Sequence, residues 1–302
     1  SRLDPDLFDH LWENPLTRVL VLFEGKTLLQ GSVGGFAPVL RLLEVEQVPS
    51  AQLRVYLGKT LADEAGVAVD SPVVLAVLSK NSADQIEPDA NAWVGLRNTG
   101  VGLSDRDSGL YAQALALANW HESHAYCPRC GLPTVIQEGG WSRRCFSDNS
   151  QVFPRTDPAV IMSVIDQEDR ILLGSQGSWE ENRFSLLAGF VEPGESLAAA
   201  VIREVFEEAG IVVEEPEYLA SQSWPFPYSL MCGFTAKVRD SHAQALQPDG
   251  IEIVKLRWFS RTQLAQAVAN REITLPGRLA IARAIIEHWY GEEIIEPNEG
   301  NQ

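Results

Sequence analysis

Cysteine is scarce in this chain, and its four copies are unevenly placed: Cys127, Cys130 and Cys145 lie together while Cys232 stands alone in an apolar stretch. That distribution excludes a disulfide framework and reads Cys232 as a small core residue rather than a nucleophile. Long apolar runs are missing too. None approaches the roughly 20 residues of a membrane span, and the first residues, SRLDPDLFDHLWENP, offer neither a basic start nor an apolar signal core, so a cytoplasmic location and no membrane partner are expected. Basic residues are in deficit. Lys and Arg total 24 against 41 Asp and Glu, a formal charge of -17, which argues against a nonspecific nucleic-acid or anionic-membrane surface. Any binding of phosphate must then be mediated by metal ions. The sequence has no internal repeat and no low-complexity tract, and its last residues, EPNEGNQ, form a polar tail without a peroxisomal address.

What is present is concentrated in residues 189–211, GFVEPGESLAAAVIREVFEEAGI. Gly189, Pro193 and Gly194 read as a loop, Ser196 as the N-cap of a helix, and Gly210 as its left-handed stop. At helical spacing Val201, Val205, Ala198, Ala209, Ile202 and Phe206 share a packing arc, and Arg203, Glu204, Glu207 and Glu208 share the other. Glu204 and Glu208, four residues apart, project together and suit hard cations such as Mg²⁺ or Mn²⁺. Without cations the acids would raise one another's pKa. An EVFEE segment alone fits a solvated helix face far better than a metal site; the register of Gly189, Glu195 and Arg203 with it reverses that balance in favour of metal chemistry, with Arg203 as a fork holding carboxylates.

CPRCG brings two thiolates to one ion, and Cys145 follows at the interval of a zinc-ribbon second half. The position where a fourth cysteine is expected holds Asp148; His124 is the alternative ligand. A ribbon without zinc would be held by packing of Trp141 and Phe146. Structural Zn²⁺ is therefore an expectation with an unusual ligand set.

Three regions follow: 1–120, 121–155 and 156–302. In the first, strands are expected near 19–23, 53–57, 73–78 and 92–96 and a helix near 110–120, with no chemistry of its own apparent. In the last, strands are expected at 159–165 and 170–174 around the turn DQED, at 185–190, near 218, and at 230–238 and 253–259. Helices are expected after Ser196 and near 261–270 and 278–290. This alternation implies an α/β sheet covered by helices.

Residues 221–231, SQSWPFPYSLM, alternate aromatics with prolines that hold such a segment extended. Trp224 and Phe226 offer stacking faces, and Gln222, Ser223 and Ser229 offer polar edges for a planar ring.

The segment 189–211 resembles the Nudix box, and its pairing with SQSWPFPYSLM resembles the NADH pyrophosphatase (NudC-type) family; Ser223 stands where that family usually has Pro. The resemblance implies a Nudix α/β/α sandwich with a mixed sheet, preceded by a zinc-ribbon-like module and a β-rich N-terminal domain. It implies hydrolysis of the diphosphate of NAD(H) to AMP and nicotinamide mononucleotide, removal of NAD caps from RNA, and a homodimer. Family ligand positions fall on the Ala188 carbonyl, Glu204, Glu208 and Glu252. Substrate contacts fall on Gln222, Ser223, Trp224, Pro225, Phe226, Pro227, Tyr228 and Ser229, on Phe153, and on Ala280 and Arg97. Gly140 stands where related bacterial enzymes can carry a substrate-contacting Glu. Glu207 or Glu208 could accept the proton of the attacking water. The rival readings are hydrolysis of ADP-ribose or dinucleoside polyphosphates, and a non-catalytic sensor of NAD-like ligands.

Overall fold

The computed structural model describes residues 1–31, 37–239 and 246–297; residues 298–302 of the polar tail lie outside that set. The chain forms two compact units. One comprises Ser1–Thr156 with Trp224–Tyr228, and the other Asp157–Ser223 with Ser229–Gln302.

The second unit is built on a mixed sheet whose strands run in the order Val213–Trp224, Ser229–Val238, Asp157–Ile165, Ile171–Gln176, Ile253–Phe259, with Leu187–Phe190 also paired to Asp157–Ile165. Asp157–Ile165 pairs in parallel with Ser229–Val238 and antiparallel with Leu187–Phe190. Alternate side chains leave a strand on opposite faces, and here both faces are apolar. Ile161, Ile171 and Leu173 pack with helices Arg261–Ala269 and Ile281–Tyr290. Val160, Met162, Val164 and Leu172 pack instead with helix Leu197–Ala209. A sheet buried on both sides between helices is the expected α/β/α sandwich.

Helix Leu197–Ala209 starts and stops where the sequence places it. Ser196 accepts from the Ala199 N–H, and Gly210 closes the helix at φ 71°. Its buried arc is turned from the expected one. Ala200, Val201, Val205, Glu208 and Ala209 are buried, while Phe206 is 56% exposed. Glu204 and Glu208 lie three and seven residues after Val201, so they flank the packing stripe itself rather than the opposite face. Gly189 is also corrected: it belongs to strand Leu187–Phe190, opposite Val160, and only Pro193 and Gly194 form the turn. The last helix begins at Ile281 rather than 278, and the strand expected near 218 spans Val213–Trp224.

The first unit has a sheet with Pro72–Leu78 between Arg18–Leu22 and Ala51–Lys59. A second small sheet joins Val39–Leu40, Lys26–Gln30 and Trp93–Gly95, and a third joins Val135–Gln137, Ser142–Arg144 and Gln151–Val152. Helix Asp105–Ser123 is longer than expected, because Ser104 caps it upstream of the apolar pattern. It buries Tyr111 and Trp120 completely, and the single proton of the Tyr111 hydroxyl is shared between the carbonyls of Val94 at 2.7 Å and Gly25 at 2.9 Å. Strand Lys26–Gln30 and helices Leu7–Glu13 and Lys80–Ile86 are not expected from the sequence pattern. Each is short, with too few turns for a period to show.

Candidate functional site

The second unit gathers the box carboxylates around one cation. Arg203 grips Glu195 with two N–H groups (3.1 and 2.6 Å) and reaches Glu204 at 2.8 Å and Glu207 at 2.9 Å. It also donates to the Phe190 carbonyl at 2.9 Å. Its planar fork is thereby fully used, which a lysine could not reproduce. Glu195 receives the Glu192 N–H at 2.7 Å, and Arg203 holds its carboxyl below the usual range.

Glu208 is different. It is 4% exposed, and its Oε2 has no hydrogen-bond partner among the described residues. Burial, then the charges of Glu204 and Glu252, push it up to about 8, against a hydrogen bond from the Ala188 backbone. Glu204 is raised as well, chiefly by burial. Glu252 is exposed, yet its charge acts on both. Gly189 makes the arrangement possible: a Cβ there would lie 1.9 Å from the Glu204 carboxyl carbon. An orphaned carboxylate oxygen beside two further acids is a poor arrangement on its own, since each charge opposes the others. Hard divalent cations fit it, because oxygen donors are what they take and their charge reverses the repulsion. The residues that would hold them are Glu204, Glu208, Glu252 and the Ala188 backbone.

Asp249 lies outside the motifs that mark the other acids of this site. Its carboxylate accepts from the N–H groups of Ile251, Glu252 and Ile253 and so shapes the loop that carries Glu252, and its charge also acts on Glu208. The available signal was Asp-Gly before a strand, a turn pattern whose Gly250 has φ 74°. In the same unit the Gln222 amide donates to the Leu279 carbonyl (2.7 Å) and accepts from the Ile281 N–H (2.8 Å), on either side of Ala280. Gln222 thus anchors the start of the last helix. Ser223 is exposed, and Ser229 is buried where its strand pairs Asp157.

The first unit holds Trp224–Tyr228 and Arg97. Pro225–Tyr228 form a turn containing a cis Phe226–Pro227 bond, and the Phe226 N–H donates to the Trp224 carbonyl at 2.7 Å. The extended conformation expected from the prolines is therefore replaced by a hairpin tip, a place where a ring-locked φ and a missing N–H are tolerated. Trp224 and Phe226 meet edge to face at 5.1 Å. The Arg97 guanidinium lies 4.0 Å from the Phe226 ring centre and 5.2 Å from that of Trp224. Phe153 is 57% exposed.

In the ribbon, Cys127, Cys130, Cys145 and Asp148 present ligand atoms within 4.8 Å of one another. The Asp148 carboxylate accepts from the Ser150 hydroxyl (2.6 Å) and N–H (3.0 Å), which hold it well below the usual carboxylate range. Three sulfurs and one ionised oxygen suit zinc. His124 bonds Ser123 and lies outside this group. Phe146 is 71% exposed and packs no ribbon core; Trp141 donates to the Tyr56 carbonyl at 2.7 Å. Beside it, Gly140 has φ 95° and a Cβ there would meet Val55 at 2.8 Å. Its carbonyl lies 2.8 Å from Nε2 of buried His121, whose Nδ1 faces Arg143 at 2.9 Å. Burial depresses His121 to about 4, so the ring is neutral, with Nε2–H donating to Gly140 and Nδ1 accepting from Arg143.

Comparison with known proteins identifies the family to which the chain is similar. The NUDIX domain family matches residues 155–276, the NADH pyrophosphatase-like rudimentary NUDIX domain residues 16–120, and the NADH pyrophosphatase zinc ribbon domain residues 122–153. The NAD-capped RNA hydrolase NudC of Mycobacterium tuberculosis is 43% identical over 212 residues, 67% of each chain. The human NAD-capped RNA hydrolase NUDT12 is 38% identical over 199 residues, 62% of this chain and 42% of that one. Among solved structures, a NUDIX hydrolase from Nitrosomonas europaea aligns with 57% of this chain and 96% of its own at 24% identity, with a TM-score of 0.43.

Proposed function

The chain belongs to the NADH pyrophosphatase (NudC-type) family of Nudix hydrolases, and we propose that it hydrolyses the diphosphate of NAD(H) to AMP and nicotinamide mononucleotide, and removes NAD caps from RNA. The observation that carries the cleavage reading is the Glu208 carboxylate, buried with an orphaned oxygen beside Glu204 and Glu252. Two or more Mg²⁺ or Mn²⁺ ions held by these acids and the Ala188 carbonyl would neutralise the diphosphate and acidify the attacking water. Arg203 and Glu195 hold Glu204 and Glu207 in place. Glu207, which is exposed, or Glu208 takes the proton from water.

Trp224, Phe226 and Tyr228 with Arg97 supply a ring-binding surface, with Pro225 and Pro227 shaping it; Phe153, Ser223, Ser229, Gln222 and Ala280 complete the assigned substrate residues. The ribbon holds structural Zn²⁺ through Cys127, Cys130, Cys145 and Asp148. The working assembly is a cytoplasmic homodimer whose chains divide at 1–120, 121–155 and 156–302. Names of the relatives above support the RNA substrate.

The test is a panel of NADH, NAD⁺, NAD-capped RNA, ADP-ribose and dinucleoside polyphosphates with Mg²⁺ or Mn²⁺, read by product chromatography. AMP and the reduced mononucleotide from NADH, abolished by chelation, are expected. Preference for ADP-ribose would overturn the substrate, and no turnover of any member would favour a sensor.

A further inference from the structure

The turn Pro225–Tyr228 is poor in hydrogen-bond donors. Two of its four residues are proline, which has no N–H, and the Phe226 N–H is already spent on the Trp224 carbonyl. Carbonyls near such a turn need donors from elsewhere, since an unpaired backbone group that leaves water is costly. One side chain meets that need twice. Asn119, on helix Asp105–Ser123, donates from Nδ2 to the Pro225 carbonyl at 3.1 Å and to the Pro227 carbonyl at 2.9 Å. Facing two acceptors, the amide can only present its NH₂ group, and both N–H bonds are used.

Resting on the ring-binding reading above, we infer that Asn119 is a positioning residue for substrate recognition. A single rigid NH₂ group bonded to two carbonyls two residues apart fixes the curvature between them, and the residue enclosed is Phe226. Asn119 and Arg97 line one cavity of about 680 Å³ with Phe226 and Tyr228. The Arg97 guanidinium against the Phe226 ring holds that side chain; Asn119 holds the backbone beneath it. Asparagine is suited by chemistry as well as length. Aspartate has no donor when ionised and would set a negative charge against two carbonyl dipoles, alanine leaves both carbonyls open, and glutamine keeps the NH₂ group on a longer arm.

The experiment compares Asn119→Asp, Asn119→Ala and Asn119→Gln with the unmutated full-length chain. Substrates are NADH and dimethyl diphosphate, which carries the same scissile linkage and no ring. Asp and Ala should lower the ratio of kcat/KM for NADH to that for dimethyl diphosphate by roughly three- to thirtyfold, mainly through KM for NADH. Gln should recover part of the ratio, and thermal melting confirms that each variant is folded. An unchanged ratio, or equal losses on both substrates, overturns the positioning role. If the unmutated chain does not cleave NADH, the substrate reading fails and takes the inference with it. If it does, and Trp224→Ala shifts the ratio while the Asn119 variants do not, the inference alone fails.

Discussion

Two sets of ionisable side chains in this chain bear on metals, and they are built in opposite ways: the ribbon set alone, among the described residues, brings three or more ligand atoms within 4.8 Å of one another. Around Glu208 the fold covers one carboxyl on which the charges of Glu204 and exposed Glu252 act, leaving an oxygen without a partner among the described residues and a carboxyl that resists ionisation. In the ribbon, Asp148 is exposed, its charge is stabilised by Ser150 before any ion arrives, and it joins three cysteines to offer four ligand atoms, the number a closed zinc site takes. The difference separates two uses of a metal. A closed set of donors holds a chain in place; a crowded, incompletely satisfied set keeps coordination positions for a substrate.

The contrast would break most visibly under charge removal. Glu204→Gln or Glu208→Gln should keep the fold and lower turnover more than about 1000-fold, beyond the roughly 10- to 100-fold typical of residues that only support a ligand. Near-normal turnover in both variants, measured at saturating Mg²⁺, would end the metal assignment. Gly189→Ala should act in the same direction by displacing the Glu204 carboxylate.

Next in size is a pH effect on stability in the presence of chelator. Glu208 has a folded pKa of about 8 against a reference near 4.5, so its unfolded form releases the proton first. Its contribution is fully present below the unfolded value and is lost as pH rises through the folded one, on the order of 5 kcal/mol in all. Denaturant unfolding of the metal-free chain should weaken between about pH 4.5 and 8, and Glu208→Gln or added Mg²⁺ should flatten that slope. A slope unchanged by Glu208→Gln places its origin elsewhere.

Smaller, and opposite in kind, is the ribbon. Purified without chelator, the protein should carry about one zinc per chain by elemental analysis. Cys145→Ser should lose it along with about 2 kcal/mol of stability while the folded fraction still turns over. A metal-free chain that is equally stable would make the ribbon a packed relic. The finest test is Asp148→Cys, which completes a four-thiolate set and should slow zinc loss to a competing chelator about tenfold, near 1.4 kcal/mol. No change would mean that Asp148 is already as good a ligand as cysteine.

Much of the second unit could be read in advance because its signals are local. Ser196 and Gly210 bracket a helix within fifteen residues, and the strands on either side of DQED announce themselves by apolar runs. The burial of Glu208 was hidden. A helical projection assigns Phe206 to the core because it is apolar, but the sheet takes the arc centred on Val201 and Val205, and that choice is made by partners far away in sequence. The same limit hid Asn119, which serves a turn more than a hundred residues downstream, and the pairing of His121 with Arg143 and Gly140. Proline alternation in WPFP implies stiffness along a line, whereas here it marks a reversal. Nothing within the segment itself distinguishes the two; the strands it joins do.

Gly140 bears on which residues its position can accept. Its backbone lies at φ 95°, where side chains are strained whatever the space around them, and the room a side chain would need is taken by Val55, itself fully buried. Both Val55 methyls would sit 2.8 Å from a Cβ, and the Val55 Cα 3.0 Å from it. Trimming residue 55 would clear the methyls but neither its Cα nor the left-handed backbone, so the position is closed to a larger residue by the path of the chain rather than by one neighbouring side chain.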